Sequence, residues 1–257
     1  MKISHLACRV YRLEPKLERE VKSLLLNSKK DRPLHYDTYP VPDGEDLDLS
    51  IVIKERHKNT YGQEVSFWVD QVTKLPDREE RERPIRYYKE YQVQVFDDRT
   101  KNFSNCIIIF GPKEVDSSLM KAIKNYLRKG DERVPDPFIL IRPDFKTIEV
   151  LMREFPNLQH FCIKNIPDER TKGVIVRGNN LEETDLFERF VIDKDTKGPI
   201  NFLGITTEFG KLVYLGMDGS IYSRMSFAKE DTVKIIYDLY SKLKKINVLI
   251  EKGLEDF

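Results

Sequence analysis

The side chains best suited to chemistry are few and widely spaced. The chain of 257 residues has four histidines (His5, His35, His57, His160) and three cysteines (Cys8, Cys106, Cys162). A structural zinc site needs about four nitrogen or sulfur ligands in a closed shell. His160 and Cys162 are two apart, so on a strand they face the same way; His5 and Cys8 are three apart and face opposite sides. No CxxC or HxxxH pair accompanies them, and ordinary core packing is expected rather than a metal. A nucleophile needs a base beside a serine or cysteine, yet no G-x-S-x-G elbow occurs. Neither G-x-x-x-x-G-K-[ST] nor G-x-G-x-x-G is present, so the loops that cradle nucleotide phosphates are missing. Asp46 and Asp48 share a face if extended, and a two-metal nuclease uses such carboxylates. No further acid–lysine motif follows them on a neighbouring strand, and the E-x-K of Glu20-Val21-Lys22 falls within a helical pattern. A metal-dependent nuclease or other hydrolase built on Asp46 and Asp48 is the alternative reading. No catalytic residue, resident metal or cofactor is assigned.

Basic side chains offer a different chemistry, the neutralisation of phosphates. Three sets qualify. Arg9, Arg12, Lys16, Arg19 and Lys22 form the first. Lys121, Lys124, Arg128 and Lys129 form the second, with Lys121, Lys124 and Arg128 at i, i+3 and i+7 on one helical ridge. Lys242, Lys244 and Lys245 close the last helix, where they also complement its dipole. A net charge of +1 excludes a bulk grip on nucleic acid but leaves a local one open. Residues 9–30 hold seven bases against three acids, and residues 31–50 six acids against one base. No RNP sequence or zinc finger that would read bases is visible.

The elements that must carry these residues follow from periodicity. Alternation predicts strands at His5–Arg12, Ser50–Arg56, Glu64–Thr73, Arg86–Phe96 and Asn105–Phe110. Helical spacing predicts Glu14–Asn27 and Val115–Lys129, and 31–46 reads as a loop. Asn59–Gly62 suggests a hairpin, and Leu75–Pro84 a charged connector. Beyond it come a strand at Phe138–Ile141, a helix at Phe145–Phe155, and strands at Gln159–Lys164, Gly173–Arg177, Arg189–Asp193, Ile200–Thr206, Lys211–Leu215 and Ser220–Met225. Asp218-Gly219 signals a tight hairpin, and Asp231–Val248 is the longest helix. Consecutive strands punctuated by helices predict an α+β fold with antiparallel-rich sheets. Two lobes are expected, 1–130 and 138–257, joined by 131–137.

Charged residues make up 34% of the chain and glutamines number only five, a balance that predicts a heat-adapted source; an archaeal thermophile is the expected host. Odd, scattered cysteines read as buried thiols of a reducing compartment. The N-terminus has too short an apolar stretch for a secretory leader, and no run reaches the ~18 apolar residues of a membrane span. A cytoplasmic protein with no transmembrane segment is therefore expected.

The layout has a parallel. A strand-rich Ser50–Phe110 is followed by a helix, GDERVPDP and a second strand set. The chain closes with INFLGITTEFGKLVYLGMDGSIYSRM and DTVKIIYDLYSKLKKI. This arrangement resembles the accessory proteins encoded beside short prokaryotic Argonautes, whose Argonaute-associated (APAZ-like) region is similar to the N and linker domains. The resemblance is one of architecture over nearly the whole chain, and it transfers no functional residue. It implies a non-catalytic subunit in antiviral defence. Such a subunit would bind an Argonaute-like protein with its guide RNA and target DNA, and any effector enzyme would be a separate protein. A viral or mobile-element structural protein is a third reading.

Overall fold

The computed structural model describes residues 2–3, 6–41, 45–76, 82–128, 133–144, 151, 155, 158–164, 173–192, 199–207, 210–224, 227–245 and 249–252. In chain order the elements begin β1 (Lys2–Ile3), β2 (Leu6–Leu13), α1 (Glu18–Asn27), β3 (Pro33–Tyr39), β4 (Leu47–Asn59), β5 (Gly62–Pro76) and β6 (Glu82–Phe96). Next come β7 (Cys106–Phe110), α2 (Lys113–Leu127), β8 (Phe138–Pro143), β9 (Leu158–Lys164) and β10 (Gly173–Arg177). The last are β11 (Ile200–Thr206), β12 (Leu212–Gly216), β13 (Ser220–Ser223), β14 (Phe227–Ala228), α3 (Lys229–Lys245) and β15 (Leu249–Lys252). Every strand pair whose register is described is antiparallel, which makes the fold α+β. The described residues divide into two compact units, one within Met1–Val10 and Leu140–Lys252, the other within Tyr11–Ile139.

In the Tyr11–Ile139 unit the strands run in the order β7-β6-β5-β4-β3. Alternation puts Ile51, Ile53, Val65, Phe67, Val69, Val93, Val95, Ile107 and Ile109 on one buried face. Helix α1 buries Val21, Leu24 and Leu25; α2 packs along β3 and buries Val115, Leu119, Met120 and Ile123. The phenol of Tyr11 donates to Asp116 Oδ2 at 2.6 Å, with both residues fully buried.

One irregularity matters. A bulge between Ile53 and Glu55 adds a residue to β4 and thereby turns Arg56 onto the face of Ile51 and Ile53. Its Nε donates to the carbonyl of Leu25 at 2.7 Å, and its Nη2 to the carbonyl and hydroxyl of Ser28 at 2.9 and 3.0 Å. Helix α1 has no basic residue in its own last turn, so a strand supplies the cation its open carbonyls need.

Strand β5 pairs with β4 only as far as Val69↔Ile51. There Asp70 Oδ2 takes the backbone N–H and hydroxyl of Ser50, each at 3.0 Å. Strand β7 meets β6 only from Gln92 onward. The remainder of β5 and β6 is a two-stranded ribbon paired down to Pro76↔Glu82. Half of the connector expected at Leu75–Pro84, residues 75–76 and 82–84, is thus ladder, because pairing between polar strands requires only backbone groups; 77–81 lie outside the described residues.

Two other expectations are corrected. The loop expected at 31–46 contains edge strand β3, which β4 templates; Pro33 is tolerated at its first position because an edge needs no donor there. The strand expected at Arg189–Asp193 is helical over Glu188–Ile192. Thr184 starts this helical stretch by accepting the N–H of Phe187, and Phe187 and Val191, four apart, are both buried. Of the helix expected at Phe145–Phe155, only Leu151 and Phe155 are described; the N–H of Phe155 bonds the Leu151 carbonyl at 2.9 Å.

In the other unit the order is β10-β9-β11-β12-β13, then the Leu6–Val10 part of β2. Phe161, Ile163, Leu203, Val213, Leu215, Ile221 and Leu6 are buried, and Phe161 meets Phe187 edge-on at 5.8 Å. Helix α3 buries Val233, Ile236, Leu239, Tyr240 and Leu243, and the Tyr240 phenol donates to the Ile141 carbonyl of β8 at 3.2 Å. Strand β15 pairs with β8. The Asp218-Gly219 turn forms as expected, with Gly219 at φ 75°.

Arg56→Ala should cost about 1.5–3 kcal/mol, the worth of hydrogen bonds from a charged donor. Thermal unfolding followed by circular dichroism reads this as a melting point several degrees lower. Arg56→Lys should recover little, since an ammonium cannot span Leu25 and Ser28 as the guanidinium fork does.

Candidate nucleic-acid interface

The basic residues singled out in the sequence fall into two groups. Several are engaged by carboxylates: Lys121 with Asp37 at 2.9 Å, Lys124 with Asp136 at 2.5 Å, Lys22 with Glu18 at 2.7 Å and Arg9 with Asp218 at 3.5 Å. Lys242 lies 5.8 Å from the ring centre of Phe155. Lys16, Arg19, Arg128, Lys244 and Lys245 are exposed, and Arg12 is half-buried. Lys129 lies outside the described residues. Arg9 belongs to the unit that carries Lys242, Lys244 and Lys245, whereas Arg12, Lys16, Arg19 and Lys22 belong to the unit of Lys121, Lys124 and Arg128. Arg19 also lines an open cleft of about 450 Å³ with Ser23, Asn27 and Tyr126; Arg32 sits 5.0 Å from the Tyr126 ring centre.

The hydrolytic candidates are not brought together. Asp46 accepts the N–H of Val41 at 3.2 Å. Asp48 is 81% exposed, 3.4 Å from the Thr38 hydroxyl and 4.0 Å from His35 Nδ1. Among the described residues no group of three or more His, Cys, Asp or Glu could hold a metal ion. Glu20-Val21-Lys22 lies on α1, with Val21 buried. His57 contacts Glu55 at 3.0 Å on an exposed surface, and His5 lies outside the described residues. All three cysteines are buried. Burial pushes the Cys162 thiol up, against the opposing pull of Lys164, which leaves it protonated and unreactive at neutral pH.

A feature the sequence reading missed lies across the strands. His160 of β9, Gly204 of β11 and Tyr214 of β12 sit opposite one another in register, and Tyr222 of β13 is opposite Tyr214. The Tyr214 hydroxyl is 2.6 Å from His160 Nδ1. Ring centres are 5.3 Å apart for His160–Tyr214, 5.6 Å for Phe202–Tyr214 and 6.0 Å for Tyr214–Tyr222. Gly204 makes this possible: a Cβ there would sit 2.8 Å from the His160 Cβ and 3.1 Å from the Tyr214 ring. His160, Phe202 and Tyr214 are half-buried, whereas Tyr222 and Ile175 are exposed. Single aromatics in separate strands give no periodic signal; only the register aligns them. The alternation of Tyr214 and Tyr222 about the Asp218-Gly219 turn was the one clue available.

Among the described residues no helix is long and apolar enough to cross a membrane. Acid sensitivity follows from the titrating groups. Burial, followed by the charge of Arg177, lowers the His160 pKa below 6.5. As pH falls past 6.5 the unfolded chain takes up that proton first, so stability is lost down through the folded value. Asp37 and Asp97 are lowered below 3.8 mainly by hydrogen bonds from Lys121 and Arg99. Burial raises Asp218, but hydrogen bonds from Ser220 and the charge of Arg9 outweigh it and leave its pKa lowered. These three carboxylates lose their contribution as pH falls from about 3.8 through their folded values. Urea unfolding at stepped pH should therefore show two separate declines, and His160→Gln should abolish the upper one alone.

No known protein family, no curated protein and no solved structure matches this chain, so its function has to be read from its own side chains.

Proposed function

We propose that this chain is a non-catalytic accessory subunit that binds an Argonaute-like partner and its guide RNA and target DNA in antiviral defence. The supporting observation is the β5–β6 ribbon. Past Val69 and before Gln92 its described pairings are to itself alone, and it exposes Leu75 at 48%, Ile85 at 44%, Tyr87 at 36% and Tyr88 at 57%. Pairing puts Leu75, Ile85 and Tyr87 on one face and Tyr88, stacked on Trp68 at 4.2 Å, on the other. Arg86 and Lys89 are exposed beside them. Apolar side chains clustered on a projecting ribbon and rimmed by cations suit a protein surface that also carries nucleic acid. The scattered cationic residues supply contacts to phosphate rather than to bases.

Co-expression with a short Argonaute-like protein should give a complex that co-elutes on size exclusion. Ile85→Glu with Tyr87→Glu should weaken that association at least ten-fold, since buried interface anchors are worth about 2 kcal/mol or more each. The chain alone, incubated with labelled DNA and RNA plus Mg²⁺ or Mn²⁺, should leave both intact. Cleavage that Asp48→Ala abolishes would replace this reading with the nuclease.

A further inference from the structure

We infer that the aromatic face of strands β9–β13 is a binding site for single-stranded nucleic acid, held by stacking of unpaired bases. This surface differs from the ribbon, and the inference does not need the Argonaute-like partner. Three rings, those of His160, Phe202 and Tyr222, have their centres within 6.0 Å of the Tyr214 ring centre. They run across strands spaced about 4.8 Å apart. From β10 to β2 that is a path of roughly 24 Å, room for about three or four nucleotides.

Charge selects the occupant. The strands β2, β9, β10, β11, β12 and β13 contain no Asp or Glu, yet carry Arg9, Lys164 and Arg177 on this side. Arg177 pairs in register with His160, and Arg9 with Ser220. Lys164 and Arg177 are exposed. Arg9 is already met by Asp218, whose carboxylate also accepts from Ser220. The face is therefore net cationic and aromatic, the pairing that tracks a phosphate backbone while seating bases. A duplex hides its base faces and could use only the cations.

Part of the stripe has an internal purpose. Tyr214 covers Gly204, as aromatics commonly do for glycine in a sheet. That accounts for Tyr214 and His160 but not for Tyr222, which is 37% exposed, nor for the missing carboxylates.

Fluorescence anisotropy of the full chain with labelled oligothymidine and oligouridine of about twelve nucleotides tests this. Wild type should bind one or both at least ten-fold more tightly than a blunt duplex of the same length, and comparison of the two probes assigns DNA or RNA. Tyr222→Ala and Arg177→Glu should each weaken binding roughly ten-fold with unchanged melting points, and Tyr222→Phe, which keeps the ring, should bind as wild type. No binding, a preference for duplex, a Tyr222→Ala chain that binds normally, or a Tyr222→Phe chain as weak as Tyr222→Ala would each overturn the inference. Loss of co-elution with the Argonaute-like protein alongside normal oligonucleotide binding would sink only the partner reading.

Discussion

An antiparallel strand sends alternate side chains to opposite sides, and burial of one side leaves the other to be explained. In each unit one side is apolar and sealed: Ile51, Phe67 and Val93 in one, Phe161, Leu203 and Val213 in the other. The two surfaces proposed for binding lie on the opposite side in one unit and where pairing stops in the other. Helices cap the sealed faces and keep the register fixed, since a slip of one residue would bury the polar set. The bulge at Lys54 is the one place where β4 exchanges sides within a strand, and the residue it delivers, Arg56, closes α1.

Pairing stops at Asp70. Its carboxylate takes the N–H and hydroxyl of Ser50, and Tyr36 donates to its carbonyl at 2.5 Å, so side-chain bonds replace the ladder at this point. Arg86 ties the ribbon back to the Asp48 carbonyl at 3.1 Å. A ribbon held by its own ladder and by contacts at its base leaves Ile85, Tyr87 and Tyr88 exposed.

Much of the fold could be read from the sequence because burial and period coincide. Strands β4 to β7 and β9 to β13 alternate or run apolar, and α2 and α3 carry apolar residues at helical spacing. Elements whose order comes from neighbours could not be read this way. Strand β3 buries Leu34 alone and forms because β4 offers an edge. Arg189–Ile192 has β-like composition, but Thr184 caps it into a helix. The site was less legible still. Basic residues are visible one by one, yet their value depends on whether an acid stands opposite, and Asp37 lies 84 residues from Lys121. The aromatic stripe is invisible until β11 and β12 are in register.

The ion pairs bear on how this chain could hold a polyanion. With 44 bases against 43 acids, a phosphate approaching Lys121, Lys124 or Arg9 must compete with Asp37, Asp136 or Asp218. Each displaced carboxylate returns part of the gain, so phosphate contacts alone would give a weak, strongly salt-dependent grip. A surface that adds stacking escapes this penalty, because base–aromatic contact requires no cation to change partner. In a chain this evenly charged, aromatic faces rather than lysine ridges are where affinity for an unpaired strand can arise.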